Sequence, residues 1–279
     1  MRRPSPLLQS SGDTPPHAPW AWMVGGLLCG ALCTTLWMAP ARWLASGVAQ
    51  ITADRLQLQA PQGSIWHGSA QWVLGAGKDS GISETLSLPG RMGWAWQLGW
   101  AAGPTVGVTL HPDCCRRAPI TLQVGWNNGK PRLTVHEIAE TDSLRIPAKL
   151  LTALGAPWNS LQLNGTIAFS GSTLQLPLQP SKVLWDGRWQ LDILNLESSI
   201  STLRPLGSYR ISSDGSTSNQ VQINTLNGAL LIEGQGQFVS NRLRFRGYAE
   251  AAPGNEDALN NLLNIIGRRQ GPRTLLQIG

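Results

Sequence analysis

The stretch Met92–Trp100 reads MGWAWQLGW, and its alternation decides the fold class. Nearly every second residue is large and apolar, and the residues between them are small or polar. Because successive side chains of a β-strand point to opposite faces, this period of two predicts a half-buried strand. The same period returns in Leu161–Phe169, Val183–Ile193, Leu226–Phe238 and Leu243–Ala251. Such strands are typical of an antiparallel sheet with one wet face.

The amino-acid composition supports this interpretation. The chain has 31 glycines and 19 prolines, which weaken helix interiors, and 13 tryptophans that supply the bulk its three phenylalanines cannot. Glycines within the strand patterns indicate bulges and curvature. The sequence therefore predicts a mainly β protein, a curved antiparallel meander that forms a trough, a half-barrel or an open sandwich.

Two helices are predicted within the β region. Ile146–Gly155 has a proline in its first turn and a glycine at its end, which is typical of a short helix. Asn255–Gly267 carries leucine and isoleucine residues at helical spacing and also ends at a glycine, which predicts a short C-terminal helix. A last strand is predicted over Thr274–Ile278.

An uncharged, mostly apolar run extends from Ala18 to Ala41 and predicts a transmembrane helix over residues 18–41. Arg2 and Arg3 precede the run, so the positive-inside rule predicts a cytoplasmic tail over residues 1–17 and a β domain over residues 42–279 beyond the membrane. The alternative, a cleaved signal peptide, is disfavoured because the run exceeds the usual signal core. The predicted anchor residues are Trp20, Trp22, Leu27, Leu28, Leu32, Leu36 and Trp37.

Two of the four cysteines, Cys114 and Cys115, lie outside the predicted anchor and are neighbours. In an oxidising compartment they are candidates for a vicinal disulfide or for a bridge between two chains. His111 and Asp113 also suggest a metal site, but four ligand types so close in sequence rarely converge on one ion. A disulfide or a plain turn is the favoured interpretation.

The sequence carries no recognised catalytic motif. His136–Glu140 begins like a zinc-protease helix, but Glu140 stands where the second histidine is required. No nucleophile elbow, phosphate-binding loop or dinucleotide fingerprint follows a strand. The 22 lysine and arginine residues are scattered without stacking aromatics, so the net charge of +6 does not predict nucleic-acid binding. We predict that the protein is not an enzyme, with no catalytic residue, metal or cofactor.

Surfaces for partners remain as the functional candidates. Arg242, Arg244 and Arg246 alternate along one strand and form a basic stripe. The stripe is either a docking surface for acidic protein or lipid headgroups, or a charged edge strand that resists aggregation. Arg268 and Arg269 complete the predicted docking residues. The tryptophan-rich apolar faces are either a closed core or a groove for lipid or a partner strand.

Several segments of the chain resemble hallmark segments of the type II secretion system protein N family. They are Gly63–Ala70 (GSIWHGSA), Gly155–Leu161 (GAPWNSL), Leu203–Tyr209 (LRPLGSY) and the C-terminal stretch Leu243–Arg269. The resemblance runs from about residue 40 to the end and also includes the apolar N-terminal run.

This resemblance implies an accessory structural component of type II secretion in a Gram-negative bacterium. The component would be anchored in the inner membrane by a single pass, with its N-terminus in the cytoplasm and its bulk in the periplasm. It would support the export of folded proteins across the outer membrane. The implied partners are the inner membrane and other secretion subunits, in the inner-membrane platform or the secretin. The β pattern also resembles the AsmA family, which implies the alternative of a periplasmic lipid-handling trough.

Overall fold

The computed structural model describes residues 20–75, 86–100, 103–127, 129–154, 161–178, 186–215, 220–239 and 242–278. The chain separates into two compact units, and the boundary between them lies between Ala39 and Pro40. The predicted tail over residues 1–17 lies outside the described residues, as does the start of the strand predicted over Val183–Ile193.

The first unit contributes helix α1, Trp20–Trp37, in which all described side chains are exposed. None of the helices in the described ranges combines the length and the apolar character that crossing a membrane requires. The transmembrane helix predicted over residues 18–41 is therefore not supported. The apolar run does not form one continuous helix, because α1 ends at Trp37 and a second helix begins after Pro40.

Within the described ranges, the second unit contributes two α-helices and seventeen strands. In chain order they are α2 (Ala41–Ile51), β1 (Leu56–Gly63), β2 (His67–Leu74), β3 (Leu86–Ser87), β4 (Met92–Trp100), β5 (Pro104–Pro112), β6 (Ile120–Asn127), β7 (Lys130–Val135), β8 (Leu144–Pro147), β9 (Asn164–Gly171), β10 (Leu174–Pro177), β11 (Trp189–Glu197), β12 (Gly207–Ser213), β13 (Gln220–Gly228), β14 (Leu230–Val239), β15 (Arg242–Ala251), α3 (Glu256–Ile266), β16 (Arg268–Gln270) and β17 (Arg273–Ile278). Short 3-10 helices cover Glu140–Asp142 and Ala148–Leu154.

These strands form two antiparallel sheets, neither of which closes into a barrel. Sheet 1 has the order β1-β2-β4-β5-β6-β7-β10, with β3 beside β2. Sheet 2 has the order β16-β17-β15-β14-β13-β12-β11-β9-β8. The mainly β, open antiparallel architecture and the short C-terminal helix predicted from the sequence are confirmed. The helix predicted over Ile146–Gly155 is partly wrong, because Pro147 ends strand β8 and only a 3-10 helix follows it.

Each sheet packs one apolar face against a helix. Helix α2 covers the Trp94 end of sheet 1, where Leu58 and Ala70 are also buried. The indole N–H of Trp94 donates to the carbonyl oxygen of Ile65 at 3.0 Å, so its one polar atom is satisfied. Helix α3 covers part of sheet 2, where its buried leucines Leu259 and Leu263 meet residues of β14 and β15.

The two sheets meet where the turn between β5 and β6 contacts strand β8. Buried Cys115 packs with Leu150, and its carbonyl oxygen accepts the backbone N–H of Arg145 at 2.9 Å. The carboxylate of Asp142 accepts the backbone N–H groups of Ala118 at 2.9 Å and of Arg117 at 3.2 Å. These bonds connect the segment before β8 to the segment before β6.

We predict that Leu263→Ala lowers the free energy of unfolding by about 3 kcal/mol, because it leaves a cavity under α3. Leu263 is 1% exposed, whereas Ile265 on the same helix is 62% exposed. Ile265→Ala is therefore the matched control and should change stability little. Urea unfolding followed by circular dichroism measures both, and equal losses would contradict the position of α3.

We also predict that Asp142→Asn lowers the free energy of unfolding at neutral pH and makes that free energy depend less on pH. The N–H of Ala118, with smaller contributions from Arg117 and Arg116, lowers the pKa of Asp142 below its usual 3.8. A carboxylate with a lowered pKa contributes stability above its unfolded pKa and loses it as the pH falls through its folded value.

Melting temperatures measured from pH 7 down to about pH 2 test this prediction. The difference between the wild type and Asp142→Asn should shrink as the pH falls below 3.8. Asp113→Asn is the control, because its side chain is exposed and has no hydrogen bond or ion pair within the described ranges. A difference that stays constant down to the lowest pH would contradict the assignment.

Candidate docking surface

Sheet 2 separates its side chains into an apolar face and a polar face. The strand register aligns the polar residues in rows across the sheet, because paired residues lie on the same face. One row contains Asp192, Arg210, Asn224, Glu233, Tyr248, Leu275 and Arg268. The next contains Gln190, Ser212, Gln222, Gln235, Arg246 and Gln277, and a third contains Gln220, Gln237 and Arg244. We call this surface the polar face.

At one end of the polar face, Arg273 has an acidic and an aromatic partner. The Nε of Arg273 lies 2.8 Å from Glu250, and the Arg273 guanidinium lies 4.5 Å from the centre of the Tyr248 ring. The Tyr248 hydroxyl donates to the carboxylate of Glu233, and this bond raises the Tyr248 pKa. The charges of Arg273, Glu250 and Glu233 are therefore satisfied by contacts within the protein.

The middle of the polar face is also neutralised. The Nε of Arg210 donates to Asp192 at 2.8 Å, and a second nitrogen lies 3.5 Å from Glu140. The hydrogen bond to Asp192 raises the pKa of Arg210 further above its usual value. The charge of Arg210 is therefore paired within the protein.

The basic stripe differs from both of these regions. Arg242, Arg244 and Arg246 are exposed, and within the described ranges their guanidinium groups make no hydrogen bond or ion pair. Their neighbours are amides, because Gln235 and Gln277 flank Arg246 in register. A depression of about 530 Å³ lies over this area, lined by glutamines, by Arg244 and Arg246, and by the backbone around Gly236. Positive charge therefore stays uncompensated at this end of the sheet.

The structure changes the interpretation of the five predicted arginines. Strand β15 lies between β14 and β17, but β17 pairs with it only over Phe245–Glu250. Arg246 therefore occupies a face within the sheet, whereas Arg242 and Arg244 lie beyond the β17 pairing, and the alternative of a charged edge stays open for them. Arg268 pairs with Leu275 and lies on the same polar face. Arg269 lies on the opposite face and bonds the Asn260 side chain and the Gly271 carbonyl oxygen.

The glutamines of this surface were missed in the sequence. Their signal is nevertheless present, since Gln220 and Gln222 alternate in QVQIN, and Gln235 and Gln237 alternate in EGQGQ. A period of two in glutamine places all four amides on one face once the strands pair. These uncharged polar residues are easily dismissed as solvated surface.

The other predicted site residues lie elsewhere. In the structure a disulfide joins Cys114 to Cys115 in the turn after β5, while Cys29 and Cys33 are free thiols in α1. A cavity of about 1180 Å³ beside the disulfide is lined by His111, Asp113 and several arginines. Within the described ranges, no group of three or more potential metal ligands converges. The predicted anchor residues Trp20, Trp22, Leu27, Leu28, Leu32, Leu36 and Trp37 all lie exposed on α1.

Two antiparallel sheets, one of them carrying a cationic stripe among glutamines, define the class of a mainly β protein with two open sheets. The chain belongs to the type II secretion system protein N family, whose family model matches residues 54–275. The match covers both sheets and α3, so the family predicted from the sequence is confirmed. No curated protein and no solved structure matches the chain.

We predict that the purified protein alkylated without reductant carries label on Cys29 and Cys33 and none on Cys114 or Cys115. After reduction in denaturant, all four cysteines should react. Intact-mass measurement before and after reduction tests this, and Cys114→Ser, which frees the neighbouring thiol, is the control. Labelling of all four thiols without reductant would contradict the disulfide.

Proposed function

We propose that this protein is an accessory component of the type II secretion system, attached to the periplasmic side of the inner membrane. Its basic stripe binds an acidic, solvent-exposed segment of another secretion subunit, in the inner-membrane platform or the secretin. Family membership supports the assignment to secretion. The observation that carries the docking role is the set of arginines on β15 that are unpaired within the described ranges.

The arginines of the basic stripe are available to a partner protein because no carboxylate pairs with them within the described ranges. An exposed cation that is already paired gains little from a partner, because the two carboxylates compete for it. Arg244 and Arg246 have no internal competitor in the described ranges, so a carboxylate of a partner gains the full charge-assisted bond. Adjacent glutamines add amide donors and acceptors for an extended backbone or for polar side chains. Such a surface favours fast, salt-sensitive association with acidic partners.

Attachment to the membrane is supported by helix α1. Its sequence is apolar all round and contains no charged residue. Trp22 is 83% exposed and Trp37 is 78% exposed, one near each end of the helix. An apolar helix with exposed side chains is stabilised by contact with lipid, and indoles favour the headgroup region. Arg2 and Arg3 supply positive charge that anionic headgroups attract.

We predict that Arg244→Glu together with Arg246→Glu abolishes complementation of secretion in a strain that lacks the gene. Loss of the charge-assisted bonds should weaken partner binding by tenfold or more, about 1.4 kcal/mol. The matched control is Arg55→Glu, an exposed arginine directly before β1 of sheet 1. Secretion is measured as the fraction of an exported enzyme found in the culture medium.

Site-specific crosslinking identifies the partner. A photocrosslinking amino acid at Gln237, beside the stripe, should capture an apparatus subunit in intact cells, and the same probe at Gln59 in sheet 1 should not. The Arg244→Glu, Arg246→Glu variant should melt at the wild-type temperature, since those side chains have no described partner. Normal secretion by this variant, with no subunit captured at Gln237, would refute the docking role.

A second candidate function is lipid handling in a trough, and the partial exposure of the apolar faces favours it. On sheet 1, Val106, Val108, Leu122 and Val124 share one face and all stay half-buried. A filled core would bury them fully. Native mass spectrometry that retains bound phospholipid would support the trough, and a lipid-free spectrum would favour docking alone.

A further inference from the structure

An apolar rim extends across one end of sheet 1, remote in sequence from the basic stripe. It consists of Leu98, Trp100, Pro104, Trp126 and Leu178. Leu98 and Trp100 are 78% and 80% exposed, and Trp126 and Leu178 are each 47% exposed. Exposed apolar residues scattered singly are common, but a contiguous group of this kind marks a contact surface.

The strand register makes the rim contiguous. Trp100 pairs with Pro104 on β5, and Trp126 pairs with Pro131 on β7. The pairs Leu98 to Val106 and Val106 to Val124 keep these strands in line. The backbone N–H of Leu178 donates to the Pro131 carbonyl oxygen at 3.0 Å, which brings the end of β10 to the same row.

The rim is the uncovered continuation of an apolar face. Near Trp94, the face packs under helix α2. Strand β2 pairs with β4 only over Met92–Ala95, so the hairpin of β4 and β5 continues beyond it. Leu98 and Trp100 lie on this protruding part. Both side chains are consequently exposed.

The strands that carry the rim contain basic residues and no acidic residue, although Asp186 bridges Gln175 on β10. Strands β4 and β5 contain no charged residue, and β6 and β7 contain Lys130 and Arg132 but no acid. Lys130 is exposed at the tip of the hairpin of β6 and β7, whereas Arg132 bonds the Gln175 side chain. Indoles, leucine and an exposed lysine together match the chemistry of a bilayer interface with anionic headgroups.

We propose that this apolar rim is a membrane contact that inserts into the headgroup region of a bilayer containing anionic phospholipid. A second copy of the chain fits the rim less well. A two-fold contact places the same patch on itself, and the Lys130 cations would then approach each other with no acid on the rim to offset them. Lipid phosphate satisfies the lysine, and the acyl boundary covers the indoles.

Spin labels on the full-length protein test the proposal and separate the rim from α1. Cysteines are introduced by Trp100→Cys and, separately, Trp126→Cys in a background carrying Cys29→Ser and Cys33→Ser. Labelling without reductant spares the Cys114–Cys115 disulfide. The protein is reconstituted into vesicles of phosphatidylethanolamine and phosphatidylglycerol. Ile265→Cys is the matched control, because Ile265 is an exposed apolar residue on α3, outside the rim.

At residues 100 and 126, relaxation by dissolved oxygen should exceed relaxation by a water-soluble nickel chelate several-fold. At residue 265 the chelate should dominate. Chelate access to both rim labels in vesicles would overturn the proposal. So would concentration-dependent coupling between rim labels before vesicles are added, because a second copy would then cover the rim. Neither result depends on the arginines of sheet 2, so the experiment tests the rim independently of the proposed docking role.

Discussion

In sheet 2, the strand register keeps most apolar side chains on one face and most polar side chains on the other, although a few pairs, such as Arg268 with Leu275, are mixed. This register is the constraint on which the rest of the molecule depends. A slip by one residue would exchange the two faces of a strand, bury its arginines and expose its leucines. The core under α3 and the basic stripe are therefore two consequences of the same pairing.

Side-chain packing fixes this register at several points. Tyr209 is 1% exposed, and its hydroxyl donates to the Leu230 carbonyl oxygen two strands away at 3.0 Å. Burial raises the Tyr209 pKa, so the group stays neutral and keeps its proton for that bond. Gly234 is needed opposite Gly247, because a Cβ there would lie 2.5 Å from the Phe245 ring. Small residues at these points let the ring lie over the sheet.

Sequence periodicity predicted the strands well because side-chain direction in a strand is local. It placed Leu243–Ala251 in a strand and Asn255–Gly267 in a helix, and both predictions hold to within a few residues. Sheet order depends on contacts between distant segments, so the sequence could not show that β15 lies between β14 and β17. For the same reason the sequence analysis grouped Arg269 with the stripe, although pairing with Thr274 places Arg269 on the other face of the sheet.

The transmembrane helix predicted over residues 18–41 is not supported for a different reason. Hydropathy counts apolar residues in a window of sequence and gives no weight to a break between helices. Pro40 lies inside the window 18–41, and the chain begins the separate helix α2 directly after it. Ala41, the first residue of that helix, is 1% exposed and packs with Leu58 and Trp94. In a sequence, an apolar residue that packs in a protein core cannot be distinguished from one that contacts lipid.

The amides around the basic stripe have a consequence for its behaviour in different environments. Glutamine does not ionise, and the guanidinium of arginine keeps its proton at every pH that a bacterium meets. A carboxylate or a histidine among them would make the local potential rise and fall with acidity, and the stripe has neither between Arg242 and Arg246. Dissolved ions, which shorten the reach of a fixed charge, are the variable to which this surface responds.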